Sequence, residues 1–151
     1  MRDFTKALGG NRALLLGMAL LTLGAGLQAT LLGLRATLEG LPTFATGAVL
    51  AAYYVGFVIG SIAAPALVRR VGHIRVFAGL TGTAAATILV QGVYFDALAW
   101  AALRAVSGVC FAGIYVVAES WLNDRADVSS RGVLLASYMV VVYVGLGAGQ
   151  F

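Results

Sequence analysis

The sequence predicts an all-α integral membrane protein, built as a bundle of five helices that each cross a bilayer. Two observations lead to this prediction. First, the 151 residues are 61% hydrophobic and only 11% charged, whereas an average soluble domain is about 25% charged. Second, the charged residues stand at the ends of long uncharged runs. These runs are close to the roughly 20 residues that a helix needs to cross a bilayer.

The first predicted span covers residues 13–34, an uncharged run between Arg12 and Arg35. A secretory signal has a shorter apolar region, of about 7–15 residues. The run is therefore interpreted as a retained span, and residues 1–12 before it as a cytoplasmic N-terminus.

Charge-free intervals place the other four spans at about residues 44–68, 76–95, 97–118 and 132–151. Pro42 suits the first turn of the second helix, where its missing N–H leaves no hydrogen bond unmade. A polar cytoplasmic segment, residues 119–131, separates the fourth span from the fifth. The uncharged, glycine-rich residues up to Phe151 predict that the chain is an N-terminal fragment and that the fifth span continues.

Basic residues are distributed unequally between the two ends of the spans. With the N-terminus in the cytoplasm, eight of them are cytoplasmic and one, Arg35, is external. The eight are Arg2, Lys6, Arg12, Arg69, Arg70, Arg75, Arg125 and Arg131. Because cytoplasmic loops carry an excess of Lys and Arg, the pattern predicts a multi-pass inner-membrane protein with a cytoplasmic N-terminus.

Several function classes are disfavoured by the sequence. The net charge of +4 forms no basic stripe, so no nucleic-acid partner is expected. Cys110 and His73 are the only residues of their kinds, which gives neither an intramolecular disulfide nor a set of metal ligands. Residues 24–29 match a dinucleotide fingerprint, G-x-G-x-x-A, but they lie inside an uncharged span and do not follow a short strand. The protein is predicted to have no cofactor and no catalytic residues, and not to be an enzyme.

Glycines recur at helical spacing in two of the spans. Gly56 and Gly60 form a small-residue face on which a second helix can approach closely. The Tyr-Val-Gly of residues 54–56, with Gly60, recurs at residues 143–145 with Gly149. Recurrence in spans of opposite direction is typical of inverted repeats in transporters, and coincidence in a glycine-rich chain is the alternative. The predicted helix-packing residues are Gly56, Gly60, Gly108, Gly145 and Gly149.

Arg104 is the one charge inside a predicted span. It lies about 8 residues, or about 12 Å, from the outer end of its helix. A charge at that depth costs at least ~2.5 kcal/mol, so it should face the protein interior or water. Contact with a substrate anion or a relay role is predicted, and a structural hydrogen-bonding role is the alternative. The predicted substrate-cavity residues are Gln28, Tyr53, Arg104, Ser107 and Tyr115.

Residues 65–75, PALVRRVGHIR, resemble the G-x-x-x-D-R-x-G-R-R motif that the major facilitator superfamily carries between its second and third spans. Arg70 and Gly72 match the motif, whereas Arg69 occupies its acidic position and Pro65 the position of its first glycine. Arg104 and Gly108 are similar to the R-x-x-x-G of the family's fourth span. The family's antiporter motif ends in Gly-Pro, which the fifth span of this chain lacks.

The resemblance covers the whole chain. It implies a helical bundle of the major facilitator type, in which residues 13–151 supply five helices of the six-helix N-terminal half. It also implies a cytoplasmic gate, with Gly72 at its turn and a charge network of Arg69, Arg70, Arg75, Glu119, Asp124 and Arg131. Within it, Arg70 and Arg75 are hypothesised to pair with Glu119, Asp124 or both, and binding to anionic lipid headgroups is the alternative.

The predicted function is secondary active or facilitative transport of a small solute by alternating access, with the solute near the membrane midplane. The expected partners are a small-molecule substrate, the lipid bilayer and the missing C-terminal half of the same protein, and the full-length protein is expected to be monomeric. The alternative is a non-transporting polytopic membrane protein that acts as a partner-binding or assembly subunit.

Overall fold

Five α-helices make up the computed structural model, which describes residues 2–126 and 130–151. They are α1 (Arg2–Leu38), α2 (Thr43–Val71), α3 (His73–Val93), α4 (Ala97–Arg125) and α5 (Arg131–Ala148). Each is long and apolar enough to cross a membrane, in α1 over Asn11–Leu38. No β-strand occurs in the two described ranges. The predicted fold class, an all-α membrane bundle, is confirmed.

The helix ends differ from the predicted span ends because charges mark the bilayer, whereas backbone hydrogen bonding ends a helix. α4 continues beyond residue 118 to Arg125, a basic residue in its last turn that favours the negative end of the helix dipole. α3 stops at Val93, because Tyr94 takes an extended conformation, with φ −115° and ψ 125°. α5 stops at Ala148. Of the predicted polar segment, residues 127–129 lie outside the described residues.

Two glycines in left-handed conformations make the tight turns on either side of α2. Gly40, with φ +74°, ends α1 in a Schellman motif: its N–H donates to the carbonyl of Thr37 at 3.1 Å, and the N–H of Leu41 donates to the carbonyl of Ala36 at 2.9 Å. Gly72, with φ +91° and ψ 154°, is the single residue between α2 and α3. This second conformation is essentially restricted to glycine, so Gly72 fixes the α2–α3 hairpin.

The chain divides into two compact units, Gly33–Ala118 and Met1–Leu32 with Glu119–Phe151. We call the first the α2–α4 unit and the second the α1–α5 unit. In the α2–α4 unit, a Cβ at Gly56 would collide with the carbonyl of Ala105, and one at Gly60 would lie 2.7 Å from the Cα of Val109. From the other side, a Cβ at Gly108 would collide with the carbonyl of Tyr53. The helices α2 and α4 therefore touch backbone to backbone.

The α1–α5 unit contains the same kind of contact. A Cβ at Gly145 would collide with the side chain of Thr22, and one at Gly149 would collide with the carbonyl of Leu23. In both copies of the Tyr-Val-Gly motif, a glycine lies where a second helix approaches closely. The inverted repeat itself stays a prediction.

Large apolar side chains point outward from the helices. Leu20 is 72% exposed, Ile62 76% and Leu89 71%. Soluble monomers rarely expose so much apolar surface in contiguous patches. In a bundle of membrane-length helices, these side chains are suited to contact lipid.

Candidate functional site

The candidate site lies on α4, the most buried of the described helices. In its most apolar window 56% of the residues are buried, against 22% in each of the other four helices. Arg104, in the first half of α4, is only 7% exposed. The close contact of α2 at Gly56 and Gly108 places Tyr53 beside it, and the guanidinium carbon of Arg104 lies 4.5 Å from the centroid of the Tyr53 ring.

The hydrogen-bonding capacity of Arg104 is not used up inside the protein. Its Nε is fully buried and has no hydrogen-bond partner among the described residues. A cation–π contact with a desolvated tyrosine contributes about 2 kcal/mol, but it leaves the N–H donor unsatisfied. A buried donor without an acceptor costs roughly 1–3 kcal/mol, and more when it is charged. The geometry therefore presents an unoccupied, positively charged donor.

Tyr53 also belongs to a group of four aromatic side chains on α2 and α4. Tyr53 and Phe57 are one turn apart on α2, and Phe111 and Tyr115 are one turn apart on α4. Ring centroids are separated by 6.0 Å for Tyr53–Phe57, 6.4 Å for Tyr53–Phe111, 6.1 Å for Phe57–Tyr115 and 6.3 Å for Phe111–Tyr115. These contacts close a ring of four side chains, which we call the aromatic quartet.

The structure joins three of the predicted cavity residues in one cluster and hydrogen-bonds a fourth, Ser107, to α3. Tyr53, Arg104 and Tyr115 belong to one connected cluster. Ser107 is fully buried, and its hydroxyl lies 2.8 Å from that of Thr87 on α3. Because Thr87 donates its own proton to the carbonyl of Ala84 at 2.7 Å, Ser107 is the donor between the two hydroxyls. Ser107 thus ties α4 to α3.

Gln28, the fifth predicted cavity residue, is a buried polar side chain of α1, 8% exposed, in the α1–α5 unit. Phe57 was missed by the sequence interpretation. Its spacing of four residues from Tyr53, on the side of α2 that carries Gly56 and Gly60, is the signal that could have found it.

Arg35 forms a second arginine site that sequence reasoning treated only as an external charge. Its Nη1 donates to the carbonyls of Gln91 at 3.1 Å and Gly92 at 2.7 Å, at the C-terminal end of α3. Its guanidinium carbon lies 5.5 Å from the ring centroid of buried Trp100, and its Nε lies 3.6 Å from Oε1 of Glu39. A cation that bonds the last carbonyls of a helix stabilises that end, so Arg35 is a structural cap on α3.

The predicted gate residues lie at helix ends in both units. Arg69, Arg70 and Arg75 are exposed around the Gly72 turn of the α2–α4 unit. The α1–α5 unit carries the other three: Glu119 is half-buried, and Asp124 and Arg131 are exposed. Their predicted ion pairs stay a prediction. Among the described residues, no group of three or more His, Cys, Asp or Glu is placed to hold a metal ion.

Comparison with known proteins finds relatives that are named MFS-type transporters. The sequence is 38% identical over 137 residues to "Uncharacterized MFS-type transporter YcaD" of Escherichia fergusonii. This alignment covers 91% of this chain and 36% of the relative. The sequence is 35% identical over 139 residues to the protein of the same name in Salmonella arizonae, covering 92% of this chain and 36% of that relative. No family model and no solved structure matches the sequence.

A bundle of membrane-length helices with an intramembrane arginine defines a polytopic membrane protein, and these relatives specify its kind. Over 91% of its length the chain is homologous to proteins named MFS-type transporters, in agreement with the resemblance to the major facilitator superfamily. It spans 36% of the length of the curated relatives it matches, which is consistent with the predicted N-terminal fragment.

Proposed function

We propose that this chain is part of a secondary active or facilitative transporter that moves a small solute across the inner membrane by alternating access. The observation that carries the proposal is Arg104, a buried intramembrane cation whose Nε has no acceptor among the described residues. Intramembrane charges are costly and usually mark substrate or ion pathways. The names of the relatives, MFS-type transporters, support transport in general.

The solute site we propose is centred on Arg104 and Tyr53, with Tyr115 in the same cluster. Gln28 stays a prediction from the sequence. Ser107 is given a supporting role, because its hydroxyl is engaged by Thr87 at 2.8 Å. No covalent step is involved. The site needs only to bind the solute and to be exposed to each side of the membrane in turn.

The gate is proposed from the sequence resemblance. The N-terminus and the basic turn around Gly72 would be cytoplasmic, and Arg70 and Arg75 would pair with Glu119 or Asp124 in one state of the transport cycle. Exchanging the charges of Arg75 and Glu119 in the full-length protein should restore the transport that either single change abolishes. Failure of that rescue would remove this pair from the gate.

Alternating access can be tested before any substrate is known. In the full-length protein with its native cysteines replaced, Tyr53→Cys is treated with a membrane-impermeant maleimide in right-side-out and in inside-out vesicles. We expect labelling from both sides, because the site opens to each in turn. Ile62 is 76% exposed on the same helix, and we expect it to face lipid, so Ile62→Cys should react from neither side. Labelling of Tyr53→Cys from one side only, or from neither, would contradict the proposal.

A further inference from the structure

We infer that the solute bound at Arg104 is an organic anion with a flat, apolar body: its anionic group bonds the guanidinium and its body lies against the aromatic quartet. The inference rests on the proposed function and specifies the solute class for the same site. It rests on two features that meet at Tyr53. The guanidinium of Arg104 lies over the Tyr53 ring, and the same ring is part of the aromatic quartet.

The first step is the charge balance of the α2–α4 unit. Its two carboxylates, Glu39 and Asp96, are both engaged away from Arg104. Glu39 lies 3.6 Å from Arg35, and Oδ1 of Asp96 accepts the N–H of Ala99 at 2.8 Å at the start of α4. Neither supplies an anion to the buried guanidinium, so the missing acceptor is assigned to the ligand.

The second step is the geometry that a guanidinium offers. Arginine presents its donors in a rigid, planar fork that matches the oxygens of a carboxylate or a sulfonate, and such charge-assisted bonds are about twice as strong as neutral ones. The ring of Tyr53 lies beside the guanidinium carbon, at 4.5 Å from ring centroid to carbon. A free Nε in this position favours an oxyanion over a neutral hydroxyl.

The third step is the surface next to the charge. Phe111 is only 2% exposed, whereas Tyr53, Phe57 and Tyr115 are each partly exposed. Phe111 therefore forms the base of the quartet, and a ligand can contact the exposed parts of the other three rings. Neighbouring rings 6.0–6.4 Å apart and tilted by 39–51° make a contiguous aromatic surface, on which a planar hydrocarbon can stack on one ring and meet the edge of the next.

The fourth step is the small number of polar groups beside this aromatic surface. The hydroxyl one turn along α4 from Arg104, that of Ser107, donates to Thr87. Within the quartet, only the tyrosine hydroxyls can make hydrogen bonds. A sugar needs several such partners, whereas a flat monoanion needs one charged group and an apolar surface, and this is the chemistry that the cluster provides.

The test uses the full-length protein in proteoliposomes, with 2-naphthalenesulfonate as the probe because it is flat, apolar and permanently anionic. Methanesulfonate, which lacks the ring system, and 2-naphthylmethanol, which lacks the charge, are the matched ligands. We expect the probe to bind about tenfold or more tightly than either, and to be transported. Equal binding of methanesulfonate, or of 2-naphthylmethanol, would overturn the inference.

Four variants test the contribution of the Arg104 charge separately from that of the aromatic quartet. Arg104→Gln should weaken probe binding about tenfold or more, and Arg104→Lys, which keeps the charge without the fork, should weaken it to a smaller extent. Phe57→Leu should weaken the binding of 2-naphthalenesulfonate and leave the binding of methanesulfonate unchanged. Phe44→Leu, at an aromatic position 89% exposed on the same helix, should change nothing. Unchanged probe binding by an Arg104→Gln protein that remains monodisperse would overturn the assignment.

The same preparations are used for the maleimide experiment on Tyr53→Cys, so that two kinds of failure can be told apart. Labelling from both sides together with no binding of 2-naphthalenesulfonate would overturn the solute class and leave alternating access standing. Labelling from one side only, or from neither, would remove the transport proposal and with it this inference.

Discussion

Arg104 and Arg35 show two different environments for an arginine in one protein. Arg35 has the surroundings of a structural residue: its side chain is 35% exposed, it donates to two carbonyls at the end of α3, and it lies near Glu39. Arg104 is 7% exposed, touches an aromatic ring and leaves Nε unbonded among the described residues. A purely structural arginine would be expected to resemble Arg35. The contrast favours a ligand-binding role for Arg104.

Gly72 is the residue whose replacement has the most direct backbone consequence. Its conformation, φ +91° and ψ 154°, is disfavoured for every residue with a Cβ. We predict that Gly72→Ala lowers the free energy of unfolding by about 1–3 kcal/mol and lowers the melting temperature of the detergent-solubilised full-length protein.

The matched control for Gly72 is Gly79 in the next helix. A Cβ there meets nothing within 4 Å, and alanine is the better helix former. Gly79→Ala should leave the melting temperature unchanged or raise it. Equal melting temperatures for the two variants would show that the α2–α3 turn tolerates a side chain.

The sequence predicts the depth of a residue in the membrane better than the direction in which it points. Arg104 and Tyr53 could be proposed as neighbours in a cavity because a charge in a span must be sheltered. Ser107 falls on the same side of α4 by helical spacing, yet it is bonded to Thr87 on α3. The capping role of Arg35 depends on where α3 ends, at Val93, and no charge pattern marks that point.

At the scale of helices, glycines determine how closely two backbones approach. Gly56 of α2 lies against the backbone of α4, and Gly108 of α4 lies against the backbone of α2. This contact also sets the position of Tyr53 against Arg104. A side chain added at Gly56 would therefore affect both the stability of the bundle and the proposed solute site.

Matched pairs within single helices test this role. In α2, Gly56→Ala would place a Cβ against the carbonyl of Ala105, whereas Gly47→Ala meets nothing within 4 Å. In α5, Gly145→Ala meets Thr22, whereas Gly147→Ala meets nothing within 4 Å. We predict that the first member of each pair loses about 1–3 kcal/mol of stability through overpacking, as measured by thermal unfolding of the full-length protein.

The control member of each pair should be neutral or slightly stabilising, since alanine exceeds glycine in helix propensity by up to about 1 kcal/mol. If Gly56→Ala and Gly47→Ala unfolded at the same temperature, the close α2–α4 approach would be wrong. The small-residue faces were visible in the sequence at a spacing of four. What the sequence did not show is which helix each face contacts.

At the scale of the whole molecule, composition and the positions of the charges were sufficient to predict five membrane-length helices, and the described residues confirm them. A chain that is 61% hydrophobic cannot bury its apolar side chains in one small core, and the outward-facing leucines and isoleucines follow from that excess. The precise helix ends were less predictable. In α4 the helix passes residue 118 and runs to Arg125, because a polar sequence can continue a helix into water.

Orientation in the membrane is the last property that the charges predict. Arg69, Arg70 and Arg75 cluster around the α2–α3 turn, whereas the α1–α2 turn has Arg35 beside Glu39. Positive charges are retained on the cytoplasmic side. In the full-length protein with its native cysteines replaced, we expect Glu39→Cys to react with an impermeant maleimide in intact cells and Arg70→Cys to react only after permeabilisation. Because the Glu39 side chain is 41% exposed, losing its ion pair should cost little stability. The opposite labelling pattern would invert the topology and place the basic turn outside.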